Sequence, residues 1–230
     1  MSRSSRALLT GAVVATPLFV VLWAVQAFNR DGFRPTYHPI SLLSLGDGGW
    51  AQIVNFVLVG LLISGGGIGL SRTLGSGRLA RWISILVILM GIGLVIAGLF
   101  VTDAGGGFPA GAPEGAPVMS WHGAVHEVGF ILTQLAFLAA GITLAVLFAR
   151  NRRRGWAAAC IAAVVAAMLV PALGDLETLA IRLFISSVIE MGLISAVALG
   201  TLLGRVSGPT QDSMPAVTYA EPHGSTSRSR

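Results

Sequence analysis

Two histidines four residues apart, His122 and His126, form the clearest chemical pattern in the sequence. On an α-helix that spacing sets both imidazoles on one face, a turn apart, and a helix can offer two nitrogen ligands to a metal in this way. A zinc site needs three or four N or O ligands. Asp103, with His38 as an optional fourth, would complete such a set if the chain brought them to the same level. Glu127 follows His126 and projects about 100° further round the helix; turned inward, it would be a candidate general base for a metal-bound water. The other reading of both histidines is that they hydrogen-bond carbonyls of a neighbouring loop.

Glu190 stands within an apolar stretch, two helical turns beyond Arg182. An ionised carboxylate at membrane depth is costly. Glu190 is therefore expected to face the interior, bonded to a neighbouring helix or taking up a proton or cation, and with Arg182 it raises the option of ion-coupled transport. The absence of two similar halves with broken helices weighs against transport. Haem ligation by two imidazoles draws its histidines from facing helices, whereas His122 and His126 share one. His38 and Ser41 lie three residues apart in a segment, Tyr37 to Gly46, apolar enough for a short interfacial helix after Pro39. They form either a nucleophile pair or hydroxyl bonds within a turn. The run Gly65-Gly66-Gly67-Ile68-Gly69 lies between an apolar span and an arginine loop, with no strand around it, so it is not a dinucleotide fingerprint. With Gly60, Gly91, Gly93 and Gly98 it reads as close helix packing.

The elements that must position these residues belong to a membrane protein. Of 230 residues, 54% are hydrophobic and 11% charged, and the mean hydropathy is +0.79; water is not the main solvent of such a chain. The net charge of +5 comes from arginines scattered between apolar runs, so no single basic face is available to a nucleic acid. Cys160 is the sole cysteine, which excludes an intrachain disulfide. Crossing the hydrocarbon core takes roughly 20 apolar residues, and six stretches qualify: about 7–28, 50–71, 82–102, 122–149, 156–174 and 181–203. Each must be helical, because an open strand in lipid leaves backbone groups unpaired. The first stretch follows Met-Ser-Arg-Ser-Ser-Arg and lacks a convincing cleavage site, so it is read as a retained span.

The fold class expected is all-α, a polytopic six-transmembrane-helix bundle. Arg3, Arg6, Arg72, Arg78, Arg81, Arg150, Arg152, Arg153, Arg154, Arg205, Arg228 and Arg230 all fall on one side of the alternating topology. The positive-inside rule places that side, and both termini, in the cytoplasm of a multi-pass cell-membrane protein. Residues 1–205 form the membrane domain and 206–230 a disordered cytoplasmic tail. The Gly- and Pro-rich loop from Asp103 to Trp121 is expected to be irregular, a mobile cover at the outer face.

At HPISLLSLGDGGWAQIVNF (His38 to Phe56), then Gly60-Leu61, Gly69-Leu70 and Arg72, the chain resembles the bacterial six-helix family catalogued as domain of unknown function 998. The likeness continues through Ala97 to Phe100, Thr102-Asp103, His122-Gly123, His126 and Arg182, and covers about residues 7 to 203. It implies a six-span integral membrane fold and brings no substrate. A more remote likeness is to the seven-helix membrane hydrolases that include alkaline ceramidases and progestin-receptor-like proteins. Those surround zinc with a Ser, an Asp and several His, two spaced as His122 and His126 are; this chain has one span fewer. The function expected is a non-enzymatic lipid- or partner-binding bundle, with membrane lipid, a homo-oligomer or another membrane protein as partner. The alternative is a zinc-dependent hydrolase acting on a lipid or amphiphile at the outer leaflet.

Overall fold

The computed structural model describes residues 1–206; the tail expected to be disordered lies, beyond Val206, outside the described residues. The described residues form six α-helices: α1 (Arg3–Asn29), α2 (Trp50–Ser71), α3 (Arg78–Leu99), α4 (Trp121–Arg150), α5 (Arg154–Ala172) and α6 (Leu179–Leu202). All six are long and apolar enough to cross a membrane. Short 3-10 turns span Ile40–Ser44 and Leu176–Thr178, and the described residues contain no strand, only an isolated bridge between Gly105 and Phe108. The six predicted spans map one to one onto these helices. The largest shifts at a helix start, four residues each, are at α1 and α3, which begin at Arg3 and Arg78, because arginine stems can lie along a helix while their guanidinium groups stay at the interface.

Neighbours in sequence pack side by side, and α1 packs against α6, so the six helices close into a ring. The three-residue link between α4 and α5 forces that pair to run antiparallel. At one end of the bundle Arg72 reaches Ser4 (3.3 Å), and the start of α1, the end of α6 and the short arginine-bearing connections gather there. The two long connections, α1–α2 and α3–α4, lie at the opposite, loop end.

Glycine lets α2 sit tightly between α1 and α3. A methyl group at Gly60 would stand 2.6 Å from the carbonyl oxygen of Gly91 on α3, while one at Gly65 would meet the Leu8 side chain of α1 at 3.2 Å. Contacts of the same kind join α3 to α4: a methyl at Gly93 would stand 2.6 Å from Gly129 O, and one at Gly129 2.7 Å from Gly93 O. Lipid supplies no hydrophobic drive between helices, so this close approach, with its dispersion contacts, holds the bundle together. The α1–α6 seam is polar instead. Pro17 has no N–H to continue the α1 ladder, and beside it Ser195 of α6 donates to Ala12 O (2.7 Å) and lies 2.7 Å from the Thr16 hydroxyl.

Candidate functional site

Helix α4 packs chiefly on α3 and less on α5, α6 packs on α1 and α5, and α4 and α6 scarcely touch each other. The space this leaves, bounded by α1, α2, α3, α4 and α6 beneath the long loops, is a cavity of about 500 Å³. That is within the roughly 300–1,000 Å³ of small-molecule sites. Phe19, Phe56, Met90, Leu94, Phe130 and Leu183 supply an apolar wall. The 3-10 turn after Pro39 and the second loop make the roof, and the exposed segment Glu114–Pro117 forms part of its rim.

His38 ties the two loops together. Its Nδ1 accepts from the Arg34 backbone N–H (2.9 Å), so its Nε2 carries the proton and donates to Gly106 O (3.0 Å). Burial holds this imidazole below the ordinary histidine value, which favours the neutral ring the bonds require. Both nitrogens are thereby occupied, and no lone pair remains for a metal. The Gly/Pro loop, expected to be a loose cover, is closed on itself by Gly106 N–H to Gly115 O (2.9 Å) and Gly107 N–H to Pro113 O (2.8 Å). The helix expected after Pro39 is present as the 3-10 turn, and Ser41 makes no bond to His38: its carbonyl accepts from Ser44 (2.6 Å).

The i, i+4 histidines cap a neighbouring helix. α3 ends at Leu99, and its last carbonyls have no partner within the helix. His126 Nδ1–H donates to Ala97 O (2.8 Å) and Phe100 O (3.0 Å), and His122 Nδ1–H to Val101 O (2.8 Å). Asp103 accepts from the Ser120 backbone N–H (2.8 Å) at the start of α4, and Ser120 in turn accepts from Gly123 N–H (3.1 Å). Hydrogen bonding from Ser120 holds the Asp103 carboxyl below the usual carboxylate range. His122 Nε2 lies 3.9 Å from Asp103 Oδ1.

The structure therefore places His38, Asp103, His126 and Glu127 around one cavity and pairs His122 with Asp103. Among the described residues, however, no group of three or more His, Cys, Asp or Glu side chains is disposed to hold a metal ion. His38 has both ring nitrogens engaged, whereas His122 and His126 commit only Nδ1–H to backbone carbonyls and keep Nε2 clear of the backbone. Glu127 is half-buried and has no hydrogen bond or ion pair to a described residue.

Glu190, at the membrane depth foreseen for it, is 1% exposed and lines the cavity. Its Oε1 accepts from Gln134 Nε2 of α4 (2.8 Å) and lies 3.3 Å from the Ser186 hydroxyl, which bonds more closely to Ala167 O (2.7 Å). Its Oε2 has no protein partner among the described residues. Arg182 does not join it. Its guanidinium is taken up by carbonyls of the α5–α6 turn: Pro171 O (2.7 Å), Leu173 O, Asp175 O and, through Nε, Thr178 O (3.2 Å).

One polar cluster is new. Gln26 of α1 donates to Gln52 Oε1 of α2 (2.9 Å), and Asn55 Nδ2 stands 3.3 Å from the same oxygen. Gln26 Oε1, Gln52 Nε2 and Asn55 Oδ1 are buried without partners. The signal was present in the sequence as three amide side chains inside apolar spans, a position that by itself marks a polar network.

A ring of six membrane-crossing helices around an apolar, acid-bearing cavity defines a multi-pass membrane protein of the bundle class. The sequence model described as "Protein of unknown function (DUF998)" matches residues 13–200, and the chain belongs to that family. No curated protein and no solved structure matches it.

Proposed function

We propose that this protein is a non-enzymatic bundle that binds a membrane amphiphile, with the arginine-rich end in the cytoplasm and the loop end facing out. The observation that carries this reading is the cavity of about 500 Å³, walled by aromatic and aliphatic side chains and rimmed by polar loop residues. An apolar wall with a few convergent polar groups suits a ligand with a hydrocarbon body and a polar head. Asymmetry of arginine between the two ends supports the orientation. Surrounding lipid is the natural source of such a ligand.

Ala180, a small side chain on the cavity lining, provides the test. Protein purified in a neutral detergent and weighed intact under native conditions should retain a bound amphiphile. Ala180→Phe, which fills part of the space, should reduce the retained fraction several-fold with the thermal midpoint held. Retention unaffected by the bulky side chain, or no retained amphiphile at all, would contradict the reading.

A further inference from the structure

Histidines apart, the charged side chains that line the cavity are all acids. Asp103, Glu114, Glu127 and Glu190 line it, and no arginine does. Of the arginines nearest the loop end, Arg182 is taken up by the α5–α6 turn and Arg30 by Leu45 O (2.5 Å), while Arg34 stays off the lining and stacks on the lining residue Tyr37 (4.2 Å). Of the two lining histidines, His38 is held in its neutral form by the N–H bond it accepts.

A ring of acids alone would specify nothing, but Glu190 is more than that. It is almost wholly buried, lines the cavity, and has Oε2 without a partner although Gln134 fixes Oε1. An acceptor on the cavity lining with no protein partner is open to a donor from the ligand. The surroundings favour a charged donor: Phe19, Phe56 and Phe130 line the same space, and aromatic faces attract cations. Methionine sulfurs at Met90 and Met191 add polarizable contact without charge.

We propose that the cavity selects a cationic amphiphile, holding a protonated amine against Glu190 Oε2 and an alkyl chain along the phenylalanine and methionine wall. This rests on the amphiphile-binding reading and sharpens it to a ligand class. Amine N–H donates to Oε2, Oε1 keeps its bond to Gln134, and Glu127, which has no partner of its own, adds a second negative charge nearer the roof.

The test uses the full chain in phosphatidylcholine nanodiscs at neutral pH. Three photoreactive probes share one alkyl chain bearing a diazirine and differ only in the head group: dodecylamine, dodecanol and dodecanoate. Labelling of cavity-lining peptides is read by mass spectrometry at matched membrane concentrations. The amine should label about tenfold more than either other probe, the ratio expected of one charge-assisted hydrogen bond. Glu190→Gln, close in shape, should bring the amine down to the level of the alcohol.

Equal labelling by amine and alcohol in the unaltered chain would overturn the charge selection and leave amphiphile binding standing. Absence of cavity labelling by every probe would overturn both. A preference that survives Glu190→Gln would overturn the assignment to Glu190. Because the head-group comparison is made on the unaltered protein, it decides the selection even if the variant does not fold.

Discussion

His122 and His126 show how one spacing serves two chemistries. A pair at i and i+4 puts two imidazoles on one face, but the spacing does not say what the face meets. Here it meets the end of α3 and the residues just past it, whose carbonyls take both Nδ1–H groups. Among the described residues no third ligand joins the pair, and the carbonyls that the imidazoles serve lie at the exit of a different helix, which the spacing does not show. Truncating His126 to Ala should leave Ala97 O and Phe100 O without their donor and lower stability by about 1–3 kcal/mol, read as a fall in the thermal midpoint of the purified protein. A chelator added to the unaltered protein should leave that midpoint unchanged. A midpoint that drops on chelation and recovers with zinc would restore the metal role. Glu190 was easier to place, since a carboxylate in an apolar span must turn inward. Arg182 was not, because the demand it answers arises where α5 stops near Pro171 and frees carbonyls that only the folded turn collects.

At the scale of elements, the six spans were legible because lipid leaves an apolar stretch of this length little choice but helix. The glycine-rich faces of α2 and α3 were legible for a related reason, small residues being what close helix approach requires. Register was not: nothing in the sequence tells that Gly93 faces Gly129, or that the amides of Gln26, Gln52 and Asn55 share one seam. The helix contacts give a clear contrast. Gly91→Ala and Gly93→Ala would drive a methyl group into the backbone of α2 and α4 respectively, and each should cost about 1–3 kcal/mol as overpacking. Gly192→Ala, with open space where its methyl would go, should be neutral or slightly stabilising, since alanine favours the helix. Thermal unfolding of the three variants separates them, and equal effects at all three sites would contradict the packing described for α2, α3 and α4.

Across the whole molecule, the cavity follows from the ring. Six helices joined in order, with α1 against α6 and α5 wedged between α4 and α6, leave an interior that the side chains of α1, α2, α3, α4 and α6 do not fill. Such a space is invisible to span counting, because it depends on how much volume the packed helices leave over. Its polar equipment was only half visible: His38, Asp103, His126, Glu127 and Glu190 stood out as residues, while Glu114 and Gln134 gained their meaning from position alone. The cavity, the loop end above it and the arginine-rich end opposite together make one claim, that an amphiphile enters from the outer face and rests among α1, α2, α3, α4 and α6.

Ser187 tests that claim most directly, since it lines the cavity and differs from cysteine by one atom. The native Cys160 is fully buried, so the unaltered chain serves as the blank. In intact cells, Ser187→Cys should react with a membrane-impermeant maleimide added outside, and a dodecyl amphiphile added beforehand should slow the reaction at least several-fold. Reaction only after the membrane is opened, or at a rate the amphiphile does not change, would contradict the outward-facing binding cavity.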